Sequence, residues 1–327
     1  MGGWPRRYGK LPYAMRWQGP MGFNRPGIHA SNLVRLASRQ VSSRTEDGRD
    51  SLMPDTPTTI IRASKGFGTL GLAELWEYRD LLRFHVLREV KGKYRQMALG
   101  PLWIVLQPVI NMVVLSFVFG RIAKLPSDGI PYPIFTYTAL IPWTFFANAC
   151  NLTANCLVAD MKVISKVYFP RMIIPLGAIL ARTIDFLICF LILLVMMFVM
   201  GYIPGARALL LIPYFALAFA FSLGLGLWSA SLCVRFRDVK FVVQYGIQVA
   251  MYLTPVGYAA SNFPAAYQRW FQLNPMYWVV EGFRWCLLGK GMGPEPFMLV
   301  SIGISLFLLV SGAFVFRRTE RTIVDLL

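Results

Sequence analysis

The chain has 327 residues, 56% of them hydrophobic, and a formal net charge of +17, with a mean hydropathy of +0.52. A soluble globular domain does not carry that much apolar sequence, and two histidines beside five cysteines that form no CxxC pair argue against a Cys/His metal centre. The basic excess raises nucleic acid as a partner, but its distribution along the chain points to anionic lipid instead.

Residues 1–55 are polar and rich in Gly, Arg and Ser, without sustained periodicity or a signal-peptide core, which predicts a disordered tail. Met53 offers an alternative start that would remove most of it. Residues 56–100 read as a cytoplasmic segment ending in an amphipathic helix over Leu72–Arg95. There Leu75, Leu82, Val86, Val90 and Tyr94 recur at helical spacing, while Glu77, Asp80, Arg83, Arg88, Lys91 and Arg95 fall largely opposite. Asp80 with Arg83 and Glu89 with Lys93 stand at helical pair spacings. Such a helix serves as an anchor on the leaflet or adds contact with a cytoplasmic partner; composition fits both.

Residues 101–327 hold six apolar runs, Leu102–Phe119, Ile134–Val158, Leu176–Met200, Leu209–Val234, Phe241–Tyr258 and Phe297–Phe316. Each has the roughly 18 residues that a ~30 Å hydrocarbon core demands. The expected fold is therefore an all-α integral membrane protein with six spans. With the N-terminus inside, seventeen Lys/Arg precede the first span, and Lys162, Lys166, Arg171, Arg235, Arg237, Lys240, Arg317, Arg318 and Arg321 occupy the other inner segments. Outside are only Arg121, Lys124, Arg207, Arg269, Arg284 and Lys290. This positive-inside asymmetry puts both termini in the cytoplasm. Between spans five and six, Asn274-Pro275 is a helix start and Gly289 a stop. The enclosed MYWVVEGFRWCLL is too short to cross and predicts a re-entrant or interfacial helix on the outer face, with Glu281 and Arg284 placed to pair.

No GxxxxGK[ST] phosphate loop occurs, and no pair of membrane-embedded carboxylates suggests acid/base work. Catalysis is not supported. Arg182 and Asp185, three apart in span three, can neutralise one another; a structural pair and an ion-coupling pair both fit. Trp103, Gln107 and Asn111 share a face of span one, Thr144, Asn148, Asn151 and Asn155 one of span two, and Gln244, Gln248 and Tyr252 one of span five. Such rows serve helix–helix hydrogen bonding or line a hydrated path. Amides and aromatic rings suit sugars, whose hydroxyls bond to amides and whose C–H faces pack on rings. Trp143, Trp270, Trp278 and Trp285 on the outer side extend that pattern, as would an ordinary aromatic belt.

Six segments in order resemble the ABC-2 type permeases that export cell-surface polysaccharides such as O-antigen, capsule and teichoic acid. They are LWEYRDLL (Leu75–Leu82), LGPLW with QP (Leu99–Trp103, Gln107-Pro108), IPWTFF (Ile141–Phe146), SKVYFPRMIIP (Ser165–Pro175), VRFRDVK (Val234–Lys240) and NPMYWVVEGFRW (Asn274–Trp285). The resemblance implies a homodimer in the bacterial inner membrane with two separate ATPase subunits. ATP and Mg sit on those partners and no cofactor or metal on this chain. The implied substrate is a lipid-linked glycan, and nucleic acid has no place.

The resemblance also assigns roles. Trp76, Tyr78, Arg79, Asp80 and Arg83 belong to an interface helix. Lys166, Val167, Tyr168, Phe169, Pro170 and Arg171 form the ATPase-coupling segment. Asn274, Pro275, Tyr277, Trp278, Glu281 and Arg284 form an outer gate, and Gln107, Asn111, Asn148, Gln244, Gln248 and Tyr252 are candidates for the path. The first fifty or so residues depart from the family pattern. An ABC-2 drug or lipid exporter and a polytopic glycosyltransferase are the competing readings; the second would need catalytic acids or His in a membrane-face loop.

Overall fold

The computed structural model describes residues 72–94, 100, 102–161, 169–262 and 265–323. All belong to one contact unit, Gly66–Leu327; the other, Met1–Lys65, lies outside the described residues, as does the tail expected over 1–55. The described regular elements are all helical: α1 (Leu72–Glu77), α2 (Arg79–Tyr94), α3 (Leu102–Leu115), α4 (Tyr132–Ala159), α5 (Ile173–Val199), α6 (Leu211–Arg235), α7 (Val239–Leu253), α8 (Ala265–Gln272), α9 (Pro275–Leu288) and α10 (Met298–Ile323). A π-helical stretch, Ser116–Ile122, prolongs α3.

Among the described residues, four helices are long and apolar enough to cross a membrane: Leu102–Ile122, Ile173–Val199, Ala206–Arg235 and Met298–Glu320. They coincide with the first, third, fourth and sixth expected spans. Helix α4 has the length, 28 residues, but Thr, Tyr and Asn recur along it. Helix α7 stops at Leu253, short of the expected Tyr258. The reason is Pro255: the residue before a proline is pushed into extended backbone, and Thr254 adopts φ −109°, ψ 135°.

Helix α4 is the hub, packing against α3, α5, α6, α7 and α9. Its Phe145 and the α5 ring Phe186 meet Phe215 of α6 with centroids 5.0 and 4.3 Å apart, and Phe283 of α9 closes on Phe186 at 6.1 Å. Small residues set the closest approaches. A Cβ on Gly226 would lie 2.6 Å from Thr153 of α4, and one on Gly224 the same distance from the Leu309 backbone of α10. The small-residue row of the fourth span, Ser222, Gly226 and Ala230, is thus the seam that draws helices together. All five cysteines are free and buried.

Helix α2 runs along α5. His85 occupies the space beside Gly177, and Lys93 bonds to Asp185 at a sequence separation of 92, the same offset as 177 − 85. Two contacts at one offset, eight residues apart, mean that the helices run side by side in the same direction for two turns. The face that packs is the His85 face. Trp76, Phe84 and Leu87 remain exposed at 74%, 66% and 52%. The expected stripe of Leu82, Val86 and Val90 flanks His85 on the same side and is half-buried, and Gly177 leaves the room that the imidazole fills.

Candidate functional site

Polar contacts concentrate at three levels of the bundle. Where the chain passes from α4 to α5, Lys166, Val167 and Tyr168 of the expected coupling segment lie outside the described residues, whereas Phe169, Pro170 and Arg171 are seen. Phe169 is half-buried against the core. The carbonyls of Pro170 and Arg171 accept from the amides of Ile173 and Ile174 at 3.0 and 3.1 Å, turning the chain into α5. Arg171 is clamped to the last helix: its guanidinium donates to the Glu320 carbonyl at 2.6 Å and its amide to the Glu320 carboxylate at 3.1 Å. On the entry side, Arg88 of α2 donates to both oxygens of Asp160, the residue that ends α4, at 2.7 Å. The segment between α4 and α5 is therefore held at entry by α2 and at exit by α10. Neither Arg88 nor Glu320 was marked by the sequence motifs.

His85, Glu89 and Asp160 bring their donor atoms within 4.8 Å of one another. The Arg88 guanidinium already spans both carboxylates, at 2.7 Å to Asp160 and 3.4 Å to Glu89, so the site carries its own cation and suits a metal ion poorly. Burial, helped by the Arg88 charge, holds the His85 pKa below its ordinary value; Asp160 and Glu89 pull the other way but less strongly. Of the proposed interface-helix residues, Trp76, Arg79, Asp80 and Arg83 are exposed and Tyr78 half-buried; Asp80 and Arg83 pair at 3.4 Å.

Midway along α5, Arg182 and Asp185 pair at 2.7 Å as their spacing suggested. Lys93 joins them, its Nζ 2.8 Å from the same Asp185 oxygen. Sequence reasoning missed this third member, because it arrives from a different helix. Gln107 and Asn148, two of the proposed path residues, line the same narrow cleft, so one mixed-charge cluster is flanked by two amides. The other path residues, Asn111, Gln244, Gln248 and Tyr252, are exposed on α3 and α7.

Beyond α7, α9 begins and ends where expected. The Asn274 side chain accepts from the Met276 amide at 3.0 Å, and Gly289 closes the helix with φ 67°. The Asn274 amide also donates to Thr254 Oγ1 at 2.9 Å, joining the helix to the loop after α7. Pro275, Tyr277, Trp278, Glu281 and Arg284 are buried, the last four at 2% exposure or less. In the single chain this helix is part of the core. Arg284 donates to Glu281 at 2.8 Å and to the carbonyls of Val256 and Tyr258 at 3.0 and 3.2 Å. Its guanidinium carbon lies 3.7 Å from the centre of the Phe135 ring, a face that compensates a buried Nε lacking a hydrogen bond among the described residues. Glu281 completes the knot by accepting from the Met292 amide.

Comparison with known proteins agrees with this architecture. Residues 81–288 match the ABC-2 type transporter family. The chain is 26% identical over 249 residues to the O-antigen export system permease protein RfbA of Klebsiella pneumoniae, covering 76% of this chain and 95% of that protein. It is 28% identical over 252 residues to RfbA of Myxococcus xanthus, covering 76% and 96%. To the polysialic acid transport protein KpsM of Escherichia coli it is 24% identical over 200 residues, 60% of this chain and 76% of that one. The matched stretch runs from the first turn of α2 to the end of α9, and the chain belongs to the ABC-2 type transporter family.

Proposed function

We propose that the chain is the membrane subunit of an exporter that moves a lipid-linked cell-surface polysaccharide across the bacterial inner membrane. The observation that carries this reading is the similarity to O-antigen export permeases along nearly their whole length. The chain is not an enzyme: a separate ATPase, holding ATP and Mg, supplies the energy. Two copies form a homodimer with two ATPase subunits, an assembly that closed two-fold symmetry favours. Helices α4 and α7 complete a six-span bundle with both termini inside, α2 serves as the interface helix, and α9 with its flanking loops forms the outer gate.

Within that assembly, ATP closure pushes on the segment 166–171. The clamps described above give the push two routes: through Asp160 and Arg88 into α2, and through Arg171 and Glu320 into α10. Gln107, Asn111, Asn148, Gln244, Gln248 and Tyr252 offer amide and aromatic groups to the glycan. The Lys93–Arg182–Asp185 cluster is a structural tie between α2 and α5.

Deletion of the chain should trap lipid-linked glycan on the cytoplasmic side, detected by extraction and sugar analysis. Glycan that still reaches the surface would refute the export reading, and accumulation of an unglycosylated lipid or drug would favour another ABC-2 cargo. Phe169→Ala with Arg171→Glu should leave the permease inserted but detach or uncouple the ATPase. Undiminished co-purification and export would sink the coupling assignment.

A further inference from the structure

Where α8, α9 and the segment after α9 meet, three hydrogen-bond donors converge on one methionine. The Tyr277 hydroxyl donates to Met292 Sδ at 2.9 Å, and the side-chain amides of Gln268 and Gln272 reach the same sulfur at 3.9 Å each. The residue is also held by its backbone, whose amide donates to Glu281 Oε2 at 3.3 Å. Sulfur and main chain are therefore fixed together between two helices. Tyr277 and Gln272 are buried, whereas Gln268 and Met292 are half-buried and leave one side of the sulfur open to small molecules.

A thioether is a poor partner for these groups. It is only a weak acceptor, yet among the described residues the buried Tyr277 hydroxyl donates to nothing else. Buried polar groups ordinarily find stronger acceptors, because leaving one poorly satisfied costs free energy. The distances show what would satisfy them. At 3.9 Å the two amides stand too far off for a strong bond to sulfur. An oxygen carried on that sulfur would stand one bond length closer, near the range of about 2.7–3.2 Å in which N–H···O bonds form. The sulfur has two lone pairs. One faces Tyr277, and the other is left to take the oxygen.

We infer that Met292 is an oxidation site, where a peroxide converts the thioether to a sulfoxide whose oxygen is received by Gln268 and Gln272. The step is a balanced oxygen transfer. A sulfur lone pair attacks one peroxide oxygen, the S–O bond forms as the O–O bond breaks, and the hydroxyl now on sulfur gives its proton to the departing hydroxide, which leaves as water. Sulfur is oxidised by two electrons and the peroxide reduced by two. In an apolar core a sulfoxide disrupts packing, since it turns a flexible apolar side chain into a polar one. Here its partners are already in place. The end of α8 is tied by its backbone, with Trp278 Nε1 and Ser301 Oγ donating to the Gln272 carbonyl at 2.8 and 2.9 Å. Oxidation adds a tie through the α8 side chains and stiffens that helix against α9. Capture from one side also fixes the stereochemistry, because the two lone pairs give opposite sulfoxide epimers. None of this depends on which cargo the chain moves.

The test uses the full-length chain, purified as it assembles and treated with hydrogen peroxide until Met200, 44% exposed, has fully reacted. Peptide mass spectrometry should find one added oxygen on Met292 as well. Peptides from the digest, offered to the two epimer-specific methionine sulfoxide reductases, should show a single epimer at Met292 and both at Met200. Hydrogen exchange of the α8 amides should slow by roughly two- to tenfold on oxidation, the worth of one net hydrogen bond. Met292→Leu should abolish that slowing, and Gln268→Leu, a milder change at a half-buried position, should diminish it. Met292 left unoxidised beside a fully oxidised Met200 overturns the inference. So does a mixture of epimers at Met292, or α8 exchange that is unchanged or faster. Slowing that survives in Met292→Leu would place the effect at another methionine and overturn it too. The epimer ratio is read on the parent chain, so the test stands even where a variant fails to fold.

Discussion

Helices α4 and α7 lie against one another yet are built on opposite principles. Most of α4 is buried, and several of its polar groups are satisfied within the helix: Thr136, Thr138 and Thr144 donate back to carbonyls of their own helix, and Asn155 does the same. No residue of α7 is buried, and its glutamines are exposed. Both are rich in polar groups, so composition alone does not separate them. What differs is whether a neighbour comes close. Polar groups that satisfy themselves within a helix allow tight packing and make α4 a scaffold. Amides left facing outward on a loosely attached helix remain available to a partner or a cargo.

Three substitutions set the two helices against each other, beginning with the one that links them. Arg284 packs on Phe135 of α4 and holds the carbonyls of Val256 and Tyr258 just after α7. Arg284→Met would leave Glu281 charged and buried without its partner, a loss on the order of 3–5 kcal/mol. The expected outcome is a large drop in melting temperature in detergent, partly restored by adding Glu281→Gln. A variant that melts like the parent would mean that the knot does not hold the two helices together.

The same small change at two glycines should have opposite signs. Gly226→Ala puts a methyl group 2.6 Å from Thr153, forcing α4 and α6 apart at about 1–3 kcal/mol. Gly246→Ala on α7 meets nothing within 4 Å and gains helix propensity, up to about 1 kcal/mol. Thermal unfolding of the two single variants side by side decides it: a fall for the first and a rise or no change for the second. Equal destabilisation would show that α7 is as tightly packed as α4.

These contrasts also show what the sequence could reveal. The limits of α9 were legible because they depend on neighbouring residues: an Asn-Pro start whose side chain caps the first turn, and a glycine free to take a left-handed conformation. The Glu281–Arg284 and Arg182–Asp185 pairs were legible because helical spacing alone brings them together. Arg88 with Asp160, Lys93 with Asp185 and Arg171 with Glu320 were not, since they stand 72, 92 and 149 positions apart and only helix packing joins them. Periodicity marked one side of α2, and Leu82, Val86 and Val90 share it with His85 and Lys93, the residues that meet α5; the notch at Gly177 that receives the imidazole lies 92 positions away and was not legible. The fifth span was drawn too long because an apolar run continues through Pro255, where the backbone cannot remain helical.

A smaller effect is expected where α2 meets α5. His85 has its pKa held below the ordinary value by burial, so the folded chain favours the neutral imidazole. The stability this contributes is fully present above the unfolded pKa of about 6.5 and is lost as pH falls through the lower folded value. Charged groups facing the ring are Arg88, Glu89 and Asp160. Hydrogen exchange of α2 amides, corrected for intrinsic rates, should speed up as pH falls from about 7.5 to 5.5. His85→Gln should remove that pH dependence, and protection that persists unchanged in acid would show that the histidine does not govern the α2–α5 contact.

The smallest expected change in stability belongs to the outward face of α7. Gln248→Leu with Tyr252→Ala removes no buried contact, since both positions are exposed, and surface changes of this kind stay within about 0.5 kcal/mol. If α4 is scaffold and α7 is working surface, a variant that melts normally and assembles normally should nevertheless export glycan several-fold more slowly. The two measurements together carry the weight. Slow export with lowered stability would make these residues ordinary packing groups, and normal export with normal stability would remove them from the path. Only the split outcome, intact fold with impaired transport, distinguishes a helix that is exposed because it serves the cargo from one that merely faces lipid.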